Sequence, residues 1–189
     1  GTRRGCPPLT MGAHVAVTPN QQVGRVTPMQ TRAFAAMMGC YGYEMDITRM
    51  SDEEKAEVRS HIALYKKIRP TMQLGQFYRL LTPFEGKGNE TAWEFVAKDG
   101  KEIVLVYFKA LATPAAELRT LKLEQLDADA EYEVAAYYPA KGLSHDGAGS
   151  KALSLAGKSF YGDELMYSGI EVPKIDTDFA AYMWVFHKK

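Results

Sequence analysis

The hydrophobic periodicity of this chain changes at Pro70, and that change limits the possible folds. Upstream of Pro70, apolar residues recur at helical spacing, whereas downstream they alternate with polar residues as in β-strands. The downstream part predicts six or seven strands in succession without helices, a pattern that indicates an antiparallel sandwich or barrel. We therefore predict an α+β chain in two parts, residues 1–70 and residues 71–189.

The upstream part begins with one strand, one polar loop and one helix. A short apolar run predicts a buried strand over residues 9–17, and the amide-rich loop after it leads into a helix over residues 29–38. Pro28 suits the first helical turn with Thr27 as the N-cap, and Gly39 ends the helix. In parallel α/β architectures, ligands bind at the loop that follows the C-terminal end of such a strand.

One strand–helix unit cannot form a sheet by itself, because its backbone N–H and C=O groups are unpaired on two edges. We expect residues 9–40 to pair with another copy of the chain, to pack on the downstream part, or to adopt an arrangement other than a barrel.

A second helix is predicted over residues 52–69. Ser51 and Glu54 have the spacing of a capping box, in which hydroxyl and carboxylate each accept a bond from a free backbone N–H. Pro70 is predicted to end this helix. The apolar stripe at helical spacing consists of Val58, Ile62, Tyr65 and Ile68.

The downstream part alternates between strand patterns and turn residues. Asp99-Gly100 supplies the positive φ of a tight two-residue turn, so the strands beside it predict a hairpin. Residues 139–158 are rich in Gly, Ala, Ser and Lys and predict a mobile loop containing one short strand. The predicted strands cover residues 76–81, 91–98, 102–111, 118–123, 132–138, 151–156 and 179–187.

Charge and cysteine content exclude several classes of function. Lys+Arg and Asp+Glu are equal at 23 each, so no net field attracts nucleic acid or an anionic membrane. No apolar run approaches the roughly 20 residues that a membrane helix needs. Cys6 and Cys40 are too few for a disulfide scaffold, and no Cys/His cluster indicates a metal. We expect no cofactor, a cytoplasmic location and a homo-oligomer, and the start at Gly1 suggests a chain cut from a longer protein.

Short motifs occur in a fixed order along nearly the whole chain. They are Met11-Gly12-Ala13-His14-Val15, Pro19-Asn20-x-Gln22-Val23-Gly24-Arg25-Val26-Thr27-Pro28, Thr31-Arg32, Gly42-Tyr43-Glu44-Met45-Asp46, Tyr65-Lys66-x-Ile68-Arg69-Pro70, Phe77-Tyr78-Arg79-Leu80, Pro83-Phe84-Glu85-Gly86, Asn89-Glu90-Thr91-Ala92-Trp93 and Gly162-Asp163-Glu164-Leu165-Met166. In this order the motifs resemble the C-terminal part of family 36 α-galactosidases, the group that processes melibiose and raffinose. The match is looser across residues 113–158.

The resemblance implies an architecture and a chemistry. Residues 1–70 would be the last β/α unit and helices of a (β/α)8 catalytic barrel, and residues 71–189 a C-terminal antiparallel β-sandwich. Family members hydrolyse terminal α-linked galactose with retention, using two aspartates in a Lys-Trp-Asp-x-Asn motif and a Ser-Asp motif. This chain has no Trp-Asp pair, and its Ser51-Asp52 pair lies at a predicted helix start. The resemblance therefore implies a portion of such an enzyme without the catalytic aspartates.

Five residues near the first predicted strand are candidates for sugar binding at a barrel rim: His14, Asn20, Gln21, Gln22 and Arg25. Amides suit sugar hydroxyls because they donate and accept hydrogen bonds. The competing interpretation is a structural role for His14 and ordinary loop hydrogen bonding for the others. Relatives commonly have Ser at position 16 and His at position 21, where this chain has Ala16 and Gln21, and these departures weaken the sugar-binding interpretation.

Other side chains invite a functional interpretation with less support. Glu85 and Glu90 flank a glycine-rich loop but have no evident partner base, so roles in turns and in solvent are favoured. Trp93 and Trp184 could stack on sugars, although strand alternation places them as readily in a core. The main alternative function is a non-catalytic module that binds carbohydrate or mediates oligomer contacts.

Overall fold

The computed structural model describes residues 8–84, 88–114, 118–140, 155–174 and 177–189. Within these ranges the chain forms three α-helices, ten strands and short 3₁₀ turns at Pro8–Thr10 and Ile47–Arg49. In chain order the elements are β1 (Gly12–Ala16), α1 (Met29–Ala36), β2 (Cys40–Glu44), α2 (Asp52–Leu74), β3 (Gln76–Leu81), β4 (Glu90–Val96), β5 (Glu102–Lys109), β6 (Arg119–Leu121), β7 (Glu131–Tyr138), β8 (Ser159–Tyr161), α3 (Gly162–Tyr167), β9 (Ile170–Val172) and β10 (Ala180–Lys188).

The upstream part contains a strand, β2, that the sequence pattern did not predict. It lies parallel to β1, with Gly12 opposite Cys40 and Ala16 opposite Glu44, and α1 connects the two strands. The segment is therefore a βαβ unit, and the expectation of a lone strand is wrong. Among the described residues β1 and β2 pair only with each other, so each keeps one open edge.

Helix α1 begins at Met29, as predicted, but its N-cap differs from the prediction. Pro28 is the N-cap residue, with extended dihedral angles (φ −52°, ψ 143°) and no side-chain cap, so the prediction of Thr27 as the N-cap is wrong. Regular helix ends at Ala36, and Met37 and Met38 form a turn before β2. β1 is also shorter than predicted, because residues 8–10 form a 3₁₀ turn.

Helix α2 begins as predicted and ends later. The capping box is confirmed: Ser51 Oγ accepts from Glu54 N at 3.2 Å, and Glu54 Oε2 accepts from Ser51 N at 2.9 Å. The helix continues past Pro70 to Leu74, so the predicted end at residue 69 is wrong. Pro70 is exposed, so the position at which its backbone N–H is missing faces solvent. The next three residues, Thr71, Met72 and Gln73, are buried.

The downstream part is built on an antiparallel sheet whose order, in the described part of the chain, is β3-β4-β5-β10-β7-β8. The predicted hairpin is confirmed as β4–β5, with Val96 opposite Ile103 and a connection at residues 97–101 that is longer than two residues. The last strand, β10, lies in the middle of the sheet, with Trp184 opposite Leu105 on β5 and Tyr137 on β7.

Side chains of the central strands alternate between two buried cores. On β5, Ile103, Leu105 and Tyr107 face the first core, while Val104 and Val106 face the second. The first core is closed by β6, β9 and α3, and the second by β1, α1 and α2. The upstream helices are thus one of the two layers that cover the sheet.

The predicted sandwich is present only in reduced form. Its second sheet, within the described residues, consists of the short pair β6 and β9. Three elements of the downstream part went unpredicted, namely β8, α3 and β9, so that part is not free of helices. Of the strand predicted near residues 151–156, residues 151–154 lie outside the described ranges, as does most of the loop predicted over residues 139–158. None of the described helices combines the length and apolar character needed to cross a membrane.

Glu94 on β4 is an ionisable side chain placed inside the sheet. Its residue is fully buried, Oε2 accepts from Glu124 N at 2.8 Å, and Oε1 has no hydrogen-bond partner among the described residues. Burial raises the pKa of Glu94 to about 8, against the opposing effect of the Glu124 N–H bond. The carboxyl group is therefore largely protonated at neutral pH.

Glu94→Gln should make the stability of the fold less dependent on pH. In the parent chain the folded pKa, about 8, lies above the ordinary value of 4.5, so the folded state binds more protons between these values. Its free energy of unfolding then falls as pH rises through this window, by at most about 1.4 kcal/mol per pH unit. Gln cannot ionise and keeps an oxygen for the Glu124 N–H. Urea titrations across this range should give a flatter curve for the variant, and parallel curves would contradict the assignment.

Gly39→Ala should destabilise the chain by roughly 2–4 kcal/mol, because an added Cβ would lie 2.6 Å from the Met11 carbonyl oxygen and 2.9 Å from Ala13 Cβ. Gly12→Ala is the matched control in the same two-stranded sheet, since its Cβ would meet nothing nearer than His14 Cε1 at 3.5 Å. Urea unfolding of both variants measures the difference. Equal stability of the two would show that β1 and β2 do not pack this closely.

Candidate functional site

The loop over residues 17–28 leaves the C-terminal end of β1 and is closed by its own hydrogen bonds. Asn20 N donates to Arg25 O at 2.9 Å, and Gly24 N donates to Asn20 O at 2.8 Å. The Asn20 side-chain oxygen accepts from Gln22 N at 3.0 Å and from Val23 N at 3.1 Å. Gly24 has φ +65°, a conformation that glycine adopts without strain. The tip of the 17–28 loop is therefore a compact turn organised by Asn20.

Arg32 on α1 connects both ends of the 17–28 loop. Its Nε donates to Thr27 O at 2.9 Å, and its Nη1 donates to Ala16 O at the end of β1. The pKa of Arg32 is lowered from its ordinary value, because burial outweighs the attraction of Glu57 and Glu54. The guanidinium thus satisfies one carbonyl before the loop and one near its end.

A cleft of about 580 Å³, here called the His14 cleft, lies between the 17–28 loop, β1 and α1. Four of the five predicted sugar-binding residues line it: His14, Asn20, Gln22 and Arg25. Gln21 is exposed and is not among the lining residues. The complete lining is Ala13, His14, Ala16, Val17, Thr18, Asn20, Gln22, Val23, Arg25, Thr27, Arg32, Ala35 and Ala36.

His14 is solvent-accessible, not enclosed in a core. Its side chain is 51% exposed, and Nδ1 lies 3.6 Å from Glu44 Oε2 on β2. The imidazole lies beside two glycines, since a Cβ on Gly42 would be 3.3 Å from His14 Cδ2 and one on Gly12 would be 3.5 Å from Cε1. The ring is therefore available to a ligand on the face of β1–β2 opposite the helices.

A second cleft of about 530 Å³, here called the Phe179 cleft, lies on the other side of the loop. It joins the loop to the first turns of α2 and to the start of β10. Phe179 has φ 53°, unusual for an aromatic residue, and the Arg25 guanidinium lies 5.2 Å from the centre of its ring. The lining is Thr18, Val26, Thr27, Pro28, Met29, Arg32, Glu54, Glu57, Thr177, Asp178 and Phe179.

The N-terminal turn of α1 is fixed on the sheet by side-chain hydrogen bonds. Gln30 Nε2 donates to Pro139 O at 2.6 Å and to Ala181 O at 3.3 Å. Thr31 Oγ1 donates to Phe179 O at 2.7 Å. These bonds place both clefts in a defined position relative to β10.

Arg32 and Phe179 were not predicted as site residues. Thr31-Arg32 was recognised as part of a motif, yet the helical pattern alone makes Arg32 one more polar helix residue. Its partners lie 5 and 16 residues away along the chain, and Arg25 contacts the ring of Phe179, the residue just before the last strand. No short-range sequence pattern predicts such contacts.

Trp184, Trp93 and Glu90 make packing or ion-pair contacts that indicate structural roles. Trp184 is fully buried in the first core, and Trp93 packs on Phe108 with ring centres 4.7 Å apart. Glu90 is held by Arg119 at 2.7 Å and Lys109 at 3.7 Å, whereas Glu85 lies outside the described residues. In the described ranges no group of three or more His, Cys, Asp or Glu side chains could hold a metal ion.

Family models match both parts of the chain. The model described as the glycosyl hydrolase family 36 C-terminal domain matches residues 90–186, and the model described as melibiase matches residues 1–75. Together they cover the βαβ unit with α2, and then most of the sheet.

Curated relatives align over almost all of the chain. It is 42% identical over 184 residues to the α-galactosidase AgaA of Geobacillus stearothermophilus, with 97% of this chain and 22% of the relative aligned. It is 37% identical over 186 residues to an α-galactosidase of Lactobacillus acidophilus, with 98% and 22% aligned. The chain thus spans about a fifth of the length of these relatives.

Solved structures give the same result. The family 36 α-galactosidase AgaA of Geobacillus stearothermophilus matches with a TM-score of 0.80 and 41% identity, over 97% of this chain and 22% of that chain. The α-galactosidase of Lactobacillus brevis matches with a TM-score of 0.83 and 33% identity, over 100% and 24%. Variants of the Geobacillus enzyme have been solved in complex with raffinose and with stachyose. On these matches in sequence and fold, the chain belongs to glycosyl hydrolase family 36.

Proposed function

We propose that this chain is the C-terminal portion of an α-galactosidase that hydrolyses terminal α-linked galactose from sugars such as melibiose and raffinose. The observation that carries the proposal is the alignment of nearly the whole chain with about a fifth of several α-galactosidases. Raffinose and stachyose are the sugars bound in the Geobacillus structures, and they supply the substrate class.

The βαβ unit supports a barrel origin for residues 1–70. Val15, Tyr41 and Tyr43 pack in the second core with α1 and α2, so the helices cover one face of β1–β2. In a (β/α)8 barrel the helices are outside and the opposite face points inward. We propose that β1 and β2 are the last two barrel strands, one more than the sequence suggested.

The face opposite the helices carries Gly12, His14 and Ala16 on β1 and Cys40, Gly42 and Glu44 on β2. Its charged residue, Glu44, lies at the C-terminal end of β2. Barrel active sites lie at the C-terminal ends of the strands. The 17–28 loop leaves that end of β1, which supports a position of the His14 cleft beside the proposed barrel mouth.

The chemistry of retaining glycosidases needs a nucleophile and an acid/base, both carboxyl groups, about 5–5.5 Å apart. The family motifs for this pair are absent from the sequence, and Asp52 of the Ser-Asp pair begins α2. We propose that the pair belongs to earlier barrel strands of the longer enzyme and that this chain alone does not hydrolyse galactosides. Its contribution is the rim of the site.

In that role His14, Asn20, Gln22 and Arg25 would contact sugar hydroxyls from the His14 cleft. The Asn20 oxygen is committed to the loop backbone, so its amide NH₂ is the group that remains for a ligand. The division into a barrel end and a β-domain at residue 70 remains part of the proposal. Helix α2 crosses that position and joins the two parts.

A chimaera tests the proposed function. Residues 8–189 replace the matching region of the Geobacillus α-galactosidase, and raffinose hydrolysis is measured for the chimaera and for the 189-residue chain alone. We expect an active chimaera and an inactive chain. Hydrolysis by the chain alone, surviving repurification, would contradict the assignment, as would a folded but inactive chimaera. Calorimetric binding of raffinose by the isolated chain would instead favour a carbohydrate-binding module.

Substitutions in the 17–28 loop test its contact with sugar. In the active chimaera, Gln22→Ala should raise the KM for raffinose roughly 3- to 10-fold, the effect of one lost hydrogen bond. Gln21→Ala is the control, because Gln21 is a neighbouring exposed amide that does not line the His14 cleft. Equal KM values for the two variants would remove the cleft from the binding site.

A further inference from the structure

Arg32 lines both the His14 cleft and the Phe179 cleft, and its side chain also bonds both ends of the loop between them. Its two acceptors are Ala16 O, the last carbonyl of β1, and Thr27 O, just before α1. A planar guanidinium with several fixed N–H donors can satisfy two carbonyls at once. The ammonium of a lysine has a different shape and reach.

The charge of Arg32 is balanced from α2. Glu57 and Glu54 attract it electrostatically, and Glu57 lies with Arg32 in the wall of the Phe179 cleft. Glu57 Oε1 is 3.7 Å from His61 Nε2, and Glu54 is held by Ser51 in the capping box. The compensating carboxylates are thus fixed on a helix that packs on the sheet.

The loop itself has few other anchors at its ends. Thr27 N donates to Thr18 Oγ1 at 3.4 Å, a long bond, and the remaining loop bonds run within residues 20–25. Val17, Val23 and Val26 are exposed and contribute little burial. Apart from that long bond and the contact of Arg25 with the Phe179 ring, the two bonds of Arg32 fix the loop ends relative to β1 and α1.

We propose that Arg32 is a positioning residue: its guanidinium clamps the two ends of the 17–28 loop and thereby sets the shape of the His14 cleft for a galactoside ligand. The clamp itself follows from the geometry of the described residues. Its effect on galactoside binding rests on the proposed function. Two measurements separate these claims.

The first measurement is amide hydrogen exchange on the 189-residue chain. Peptides covering residues 20–27 should exchange roughly 10- to 100-fold faster in Arg32→Ala and Arg32→Lys, because hydrogen bonds to a charged group are lost or misplaced. Peptides covering β5 and β10 should not change, which shows that the variants are folded. Arg49→Ala is the control, since Arg49 is a largely exposed arginine that pairs only with Asp46 in the described structure.

Chemical rescue distinguishes positioning from general stabilisation. Methylguanidinium should restore slow exchange of residues 20–27 in Arg32→Ala, whereas methylammonium at the same concentration should not. Unchanged loop exchange in Arg32→Ala would overturn the clamp. An equal increase in all peptides would also overturn it, because Arg32 would then act on the whole fold.

The second measurement uses the chimaera and separates KM from kcat. Arg32→Lys should raise the KM for raffinose about tenfold with little change in kcat, the signature of a displaced binding loop. An unchanged KM in an active chimaera would overturn the role in binding. If the chimaera with the parent chain is inactive, the proposed function fails, and the exchange result still decides the clamp.

Discussion

The central strands of the sheet are apolar on both faces, and the rest of the molecule is arranged to cover them. β5 and β10 contribute to both cores, and fully burying each large apolar side chain contributes about 1.5–3 kcal/mol. One face is covered by β6, β9 and α3. The other face is covered by Phe34 from α1, by Met37 in the turn after it, and by Ile68 and Met72 from α2. The βαβ unit is therefore held in place because its helix and α2 bury the apolar side chains on this face of the sheet.

In the described part of the chain, this arrangement covers one face of the βαβ unit and leaves the opposite face uncovered. The helices, the sheet and the bonds of Gln30 and Thr31 all lie on the covered side. The face with His14 and Glu44 and the outer edges of β1 and β2 find no partner among the described residues. An open parallel pair is an unusual end state, because parallel strands are normally buried on both faces. The proposed barrel would account for the open pair, and the 17–28 loop would then border its mouth.

Local chemistry made part of this structure predictable. The Ser51–Glu54 capping box, the strand at residues 76–81 and the last strand, β10, follow from short-range patterns that tertiary packing did not override. β2 was missed because Gly39 was interpreted only as the end of a helix and the residues after it were assigned to no element. Here Gly39 allows β2 to approach β1, and Gly42 makes room for the His14 ring. Pro70 was wrongly interpreted as the end of α2. The helix continues because Pro70, which has no backbone N–H to donate, lies on the solvent side, while the next residues are buried.

The candidate site was predictable only in outline. Four of the five proposed rim residues line one cleft, because Asn20, Gln22 and Arg25 lie on the 17–28 loop and His14 lies on the strand that leads into it. The clamp by Arg32 and the approach of Arg25 to Phe179 are long-range contacts, and no periodicity or motif spacing encodes them. The pairing of β1 with β2, and so the orientation of the open face, likewise needed the fold.

Thiol labelling of Cys40 tests most directly whether the open face is a barrel interior. Cys40 is exposed at the start of β2, opposite Gly12 and on the same face as His14. In a Cys6→Ser background, a maleimide should label Cys40 rapidly in the 189-residue chain. The maleimide should label Cys40 far more slowly in the chimaera, where barrel strands would cover that face. Equal labelling rates in the two proteins would contradict the barrel assignment of β1 and β2.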